Sequence, residues 1–129
     1  MNNLTSIMKE LPDFYALNAA KPESIEAAER RLDVVFSDEY RSYIKEYGVV
    51  SVNGHELTGI CSHSRLNVVD VTLQERSLNP LVPQQYYVIE NSCMDGIIVW
   101  QDQTGTVYQT APNSEPIKLC DSLLDYIRQ

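Results

Sequence analysis

Three features of the 129-residue sequence predict an α+β domain, an antiparallel sheet of about five to six strands packed against N-terminal helices and a C-terminal helix. The first half carries helical apolar stripes with their own start and stop signals. At Asn53-Gly54 the hydrophobic period changes from helical to alternating. Three strand-like runs joined by short loops then fill the second half before a last amphipathic stretch. A chain of this length makes one ordinary core and buries about two-thirds of its unfolded surface, so residues 1–129 read as a single domain. Hydrophobic residues at 43% and charged residues at 22% exclude a wholly disordered or collagen-like chain.

The first helix spans Leu4 to Leu11, with Leu4, Ile7, Met8 and Leu11 on one face, and Pro12 stops it. Residues 13–21 have no clear period and read as a packed connection. A stronger helix begins at Pro22, which suits a first turn, and Glu23 and Glu26 lie near its positive end. Ile25, Ala28 and Leu32 form its stripe, and Glu29 falls about 40° from Ile25 on the wheel, so a carboxylate sits beside the buried face. It reads as a structural group bonded to a nearby donor, or else as an acid at a site.

Ser37 is an N-cap followed by Asp38 and Glu39, and Tyr40, Tyr43, Ile44 and Tyr47 share one helical stripe that ends at a left-handed Gly48. Tyrosines so placed belong at a core edge or on a ligand-stacking surface. Asn53-Gly54 tolerates the positive φ angles of a type I′ turn, so Val49–Val52 and His55–Ile60 make a hairpin with His55 facing solvent. Asp70 or Thr72 caps a further helix with Val71, Leu73 and Leu78 apolar, ending before Asn79-Pro80. Strands follow at 86–90, 96–101 and 106–110. The apolar run Ile97–Trp100 argues for a central strand covered on both faces, or on one face with a tyrosine-rich second side, and the turn Asp102–Gly105 closes its hairpin. The last helix starts near Asp121 or Ser122 and carries Leu123, Leu124, Tyr126 and Ile127.

Eighteen acids against ten bases give a net charge of −8, which opposes binding to phosphate backbones and anionic lipid and favours a basic partner. No nucleic acid or membrane is expected as a partner. No apolar run approaches the roughly 20 residues of a membrane span and the N-terminus has no leader pattern, so a cytoplasmic location is expected. Cys61, Cys93 and Cys120 are odd in number and widely spaced, as reduced thiols are. Nucleophile elbows, phosphate loops and zinc-helix motifs are missing. His55 and His63 are too few for most zinc sites, and a Cys–His pair drawn from these residues is a weak signal. No metal, no cofactor and no enzymatic activity are expected.

Charge distribution says more. Between residues 86 and 127 the acids are Glu90, Asp95, Asp102, Glu115, Asp121 and Asp125, and Lys118 is the single base. An acidic rim of Glu90, Asp95, Asp102 and Glu115 around Tyr86, Tyr87 or Tyr108 is the candidate binding surface; the alternative is solvated strand ends with no partner.

The order of these pieces resembles the SUKH superfamily of bacterial immunity proteins, related to a yeast cell-wall-synthesis regulator. The resemblance rests on Ile25-Glu26-Ala27-Ala28-Glu29-Arg30-Arg31-Leu32, on Phe36-Ser37-Asp38-Glu39-Tyr40 and on Tyr43-Ile44-Lys45-Glu46-Tyr47-Gly48. It continues through Asn53-Gly54-His55-Glu56-Leu57 with Gly59-Ile60, the strand ending in Trp100, the turn 102–105 with Val107, and Ser122–Ile127. It covers residues 22–127 as a family core behind the 1–21 helix and connection, with Glu29, Tyr47, Gly48, Gly59 and Trp100 as structural motif positions. Asp33 stands where the family usually has Gly, and Phe36-Ser37 where Leu-Pro is common. The resemblance implies a non-catalytic immunity protein that neutralises the C-terminal domain of a polymorphic, LXG-type toxin, often a basic nuclease. A regulatory module binding an endogenous protein is the second reading, and a small thiol or carboxylate hydrolase the third. The toxin's identity and the oligomeric state are not written in the sequence.

Overall fold

The computed structural model describes residues 4–129. Its elements run α1 (Leu4–Met8), β1 (Tyr15–Ala16), α2 (Pro22–Leu32), α3 (Asp38–Tyr47), β2 (Val50–Val52), β3 (His55–Glu56), α4 (Val68–Leu78), β4 (Tyr87–Asn91), β5 (Ile98–Gln101), β6 (Val107–Thr110), β7 (Ile117–Cys120) and α5 (Leu123–Ile127). The class is α+β. The strands divide between two antiparallel sheets, β1-β2-β3 and β4-β5-β6-β7, where a single sheet was expected.

Glu90 accounts for the division. Where a continuous ladder would bring β3 against the main chain of β4, the Glu56 amide donates instead to Oε2 of Glu90, 2.6 Å away, and β4 shifts register between Val88 and Glu90. One main-chain bond still crosses, from Thr58 N to Ile89 O at 2.9 Å. Side chains complete this edge of β4: Val88 N donates to Thr72 Oγ1 and Val88 O accepts from Thr58 Oγ1.

The four-stranded sheet is covered on both faces, which explains the fully buried β5. On one face Tyr87, Ile89, Val99 and Val107 join α1, α2, α3, α5 and the small sheet in the main core. On the other, Val88, Ile98 and Trp100 meet Val71 of α4, with Tyr86 and Tyr108 at the margin.

Local chemistry explains most boundaries and several departures from expectation. α1 stops at Met8, and the connection after it contributes β1, which pairs with β2; a two-residue strand leaves no period to detect. Ser37 caps α3 by accepting from Tyr40 N, and Asn53 and Gly54 take the positive φ angles the turn requires. Gly48 has φ 73° but ψ −66°, outside the left-handed helical region. Glycine is required there chiefly because a Cβ would lie 1.9 Å from the Asn18 carbonyl oxygen. Asp33 takes the left-handed conformation at the end of α2, the backbone state for which glycine is the usual choice. Asn67, not Asp70 or Thr72, caps α4, whose buried stripe is Val68, Val71 and Thr72; Leu73 and Leu78 are exposed. β7 was not anticipated, because four residues straight after the turn-like run 111–116 are too few for a period to stand out, and three of them are exposed.

Candidate protein-binding surface

The acids and tyrosines singled out in the sequence fall in three separate places. Glu90 leaves the surface altogether: only 7% exposed, it accepts from His55 Nδ1 at 3.0 Å, from the Tyr126 hydroxyl at 2.5 Å and from the Glu56 amide. A buried carboxylate with three donors is structural, so it is not available to a partner. His55, expected to face solvent, is half-buried against the Tyr126 ring, with centroids 4.6 Å apart.

Tyr86, Tyr108 and Asp102 do come together, at the end of the large sheet where β4 begins and β5 ends. The two rings stack with centroids 4.5 Å apart and 18° between planes, and the Tyr108 hydroxyl donates to Asp102 Oδ2 at 3.0 Å. Asp102 Oδ1 also accepts from Thr104 N and Oγ1, so its carboxylate organises the turn. Burial, then the neighbouring Tyr86 hydroxyl and Asp102, push the Tyr108 phenol well above its ordinary value. Tyr86 is buried and Tyr87 wholly so, leaving Tyr108 and Asp102 as the half-exposed members.

Beneath that cluster lies a hub the sequence did not disclose. Gln101 is fully buried; its Oε1 accepts from Ser37 Oγ (3.1 Å) and the Tyr87 hydroxyl (2.8 Å). Its Nε2 donates to Gly105 O (2.9 Å) and Glu39 Oε1 (3.0 Å). Glu39 also caps α5, accepting from Leu123 N and Leu124 N. Glu29 resolves as a structural group, accepting from Phe36 N at 2.9 Å and pairing with Arg41.

The opposite end of the sheet holds a groove of about 380 Å³ between the C-terminal half of α4 and the loops after β4 and β6. Ile98 and Trp100 form its floor, Glu75 and Leu78 its helical wall, and Gly96 and Pro112 the loop side. Those loops touch closely: a Cβ on Gly96 would lie 2.7 Å from Pro112 Cγ. Asn79 fixes the helix end by donating to Ser114 O at 2.9 Å. Exposed Asp95 precedes Gly96 and exposed Glu115 follows Ser114, so two of the predicted acids flank this groove. Leu78 in its wall is 61% exposed, and Met94, 69% exposed, lies on the same loop as Gly96. The detectable signal was Met94 itself, an isolated large apolar residue in the polar tip Ser92–Asp95.

Lys118, the one base of the 86–127 stretch, is tied to Asp121 at 2.7 Å. Among the described residues no group of three or more His, Cys, Asp and Glu is arranged to hold a metal. Cys61, Cys93 and Cys120 are free thiols, Cys93 exposed and the other two half-buried, and burial pushes Cys120 up, away from a nucleophile's range. No helix of the described residues is long and apolar enough to cross a membrane.

A family model described as SUKH_5, SMI1-KNR4 cell-wall, matches residues 1–127. A search of curated proteins finds no match.

Proposed function

The chain belongs to the SUKH superfamily, in its SMI1-KNR4 cell-wall family, and from that premise we propose that it is an immunity protein. It binds the C-terminal domain of a polymorphic toxin, of the LXG type and a basic nuclease, and covers the surface that holds the toxin's substrate. It works in the cytoplasm by stoichiometric binding, with no chemistry of its own.

One observation carries this reading: exposed Asp95 and Glu115 at one end of the large sheet and half-exposed Asp102 at the other carry negative charge, while Lys118, the single base of residues 86–127, is already paired with Asp121. A nuclease must present a cationic surface to hold phosphates, and a negative protein surface competes for the same ground. Complementary charge of this kind accelerates encounter and penalises wrong partners.

The test is co-expression with the toxin domain encoded beside this chain's gene, followed by titration calorimetry at low and moderate salt. The immunity reading expects survival of the toxin-expressing cells, a one-to-one complex of about nanomolar Kd and an association rate that falls with salt. The cell-wall description of the matching family model supports a second reading, a regulatory module for an endogenous protein. That reading expects no protection, and a growth defect on deletion where no toxin is present.

A further inference from the structure

We propose that the groove beneath the C-terminal half of α4 is the docking site for a cationic side chain, Arg above Lys, of a toxin segment whose apolar neighbours rest on Leu78 and Met94. This deepens the immunity reading and rests on it.

Geometry supplies the reason. Residues 68, 71, 72 and 75 lie at i, i+3, i+4 and i+7, so Glu75 prolongs the buried stripe of α4 by one turn and lines the groove above Ile98 and Trp100. Among the described residues nothing bonds the Glu75 carboxylate: it makes no hydrogen bond and joins no ion pair. A half-buried carboxylate over an apolar floor has lost part of its hydration with nothing in return. Burial accordingly pushes the Glu75 carboxyl up. Asn113 and the Asn91 amide NH2 are the unpaired neutral polar groups in the lining among the described residues; three other polar residues there are engaged. Trp100 Nε1 donates to Thr110 Oγ1 at 3.0 Å, Asn79 bonds Ser114 and Leu81, and Asn91 Oδ1 accepts from Cys93 N. Glu75 is the one charged residue in the lining, and Asp95 and Glu115 flank it, so the field favours a cation and disfavours an anion.

Guanidinium suits the site better than ammonium. It is planar and weakly hydrated, it forms paired bonds to a carboxylate, and it loses less on entering a partly apolar groove. A volume of about 380 Å³ holds one such side chain with its neighbours.

The experiment is an amide-shift titration of the full chain with acetyl-Leu-Arg-Leu-amide and with its citrulline counterpart, which keeps the shape and removes the charge. Saturable shifts at Glu75, Leu78, Gly96 and Thr110, at least fivefold weaker for citrulline and lost in Glu75→Gln, support the proposal. Leu78→Ser, at an exposed position, weakens the same peptide without unfolding the chain, and an unchanged Tm shows that both variants remain folded. Equal binding of the two peptides, or no shifts at these amides, overturns it. So does a concentration-dependent dimer that shifts the same amides, since that assigns the groove to a second copy of the chain. The toxin assay separates the two levels: full protection by Glu75→Gln and Leu78→Ser overturns the groove and leaves the immunity reading standing, whereas absent protection by the unmodified chain removes the immunity reading.

Discussion

His55 fastens the small sheet to the large one through Glu90, its Nδ1 donating to Oε1 at 3.0 Å from a hairpin residue thirty-five positions away. Its Nε2 faces the Gln129 carbonyl oxygen at 3.3 Å, so both ring nitrogens point at acceptors and the imidazolium satisfies both. The hydrogen bond to Glu90 raises the His55 pKa, against a smaller opposing effect of burial. A raised folded-state value means that this contribution is complete below the unfolded value of about 6.5 and fades as pH climbs through the folded one. His55→Phe keeps a ring against Tyr126 but cannot titrate. Urea denaturation from about pH 6 to about pH 9 should therefore show the gap between the two proteins narrowing as pH rises, and a constant gap would refute the linkage.

Gln101→Leu is expected to lower stability by about 2–4 kcal/mol, because it strands Ser37, Tyr87, Gly105 and Glu39 inside the fold. Denaturant midpoints measure this. Gln101→Glu offers two acceptors but no amide donor and sets a second negative charge beside Glu39, so it should fare no better.

Glycine replacements separate crowding from backbone strain. Gly54 has φ +82° with no atom near its missing Cβ, so Gly54→Ala should cost only about 1–2 kcal/mol. A Cβ on Gly48 would meet Asn18 O at 1.9 Å, and one on Gly59 would meet Gly48 O at 1.8 Å. Either alanine should cost more than about 2 kcal/mol, read as a larger fall in Tm than Gly54→Ala produces.

Neutralising Asp95, Asp102 and Glu115 together should slow association with a basic toxin domain about tenfold at low salt, with little change at high salt, as stopped-flow would record. Unchanged kinetics at low salt would remove both sheet ends from the interface. Because Asp102 also holds its turn, Asp102→Asn should account for any loss of Tm in the triple variant, while Asp95→Asn and Glu115→Gln leave it unaltered.

What the sequence disclosed follows from the range of each interaction. Ser37, the Asn53-Gly54 turn, Gly105 and the apolar run of β5 act through near neighbours, so spacing reveals them. Glu90 takes its meaning from partners 34 to 36 positions away and Gln101 from Ser37 and Glu39, 64 and 62 positions away, as much as from nearer groups, and no local pattern distinguishes such a Glu from a solvated one. The surface acids divided for a related reason: consecutive hairpins send alternate turns to opposite ends of a sheet, so Asp95 and Asp102, seven residues apart, cannot share one patch. Leu78 counts with the α4 core on spacing, because it lies seven residues after Val71 on the same face; at the helix end that face meets the open groove and no packed partner, so the side chain is exposed.

The arrangement of Thr58, Thr72 and Glu90 along β4 has a consequence for self-association. Thr58 and Thr72 occupy the main-chain groups of Val88 and Glu90 takes the Glu56 amide, so this edge of β4 is covered and the large sheet is left to grow sideways from β7, where Ile117 and Leu119 are exposed. Pro116 before that strand and Lys118 within it are gatekeepers against stacking of newly made chains, one lacking a donor and the other carrying charge. The large sheet thus keeps its colloidal risk on one short, charged border.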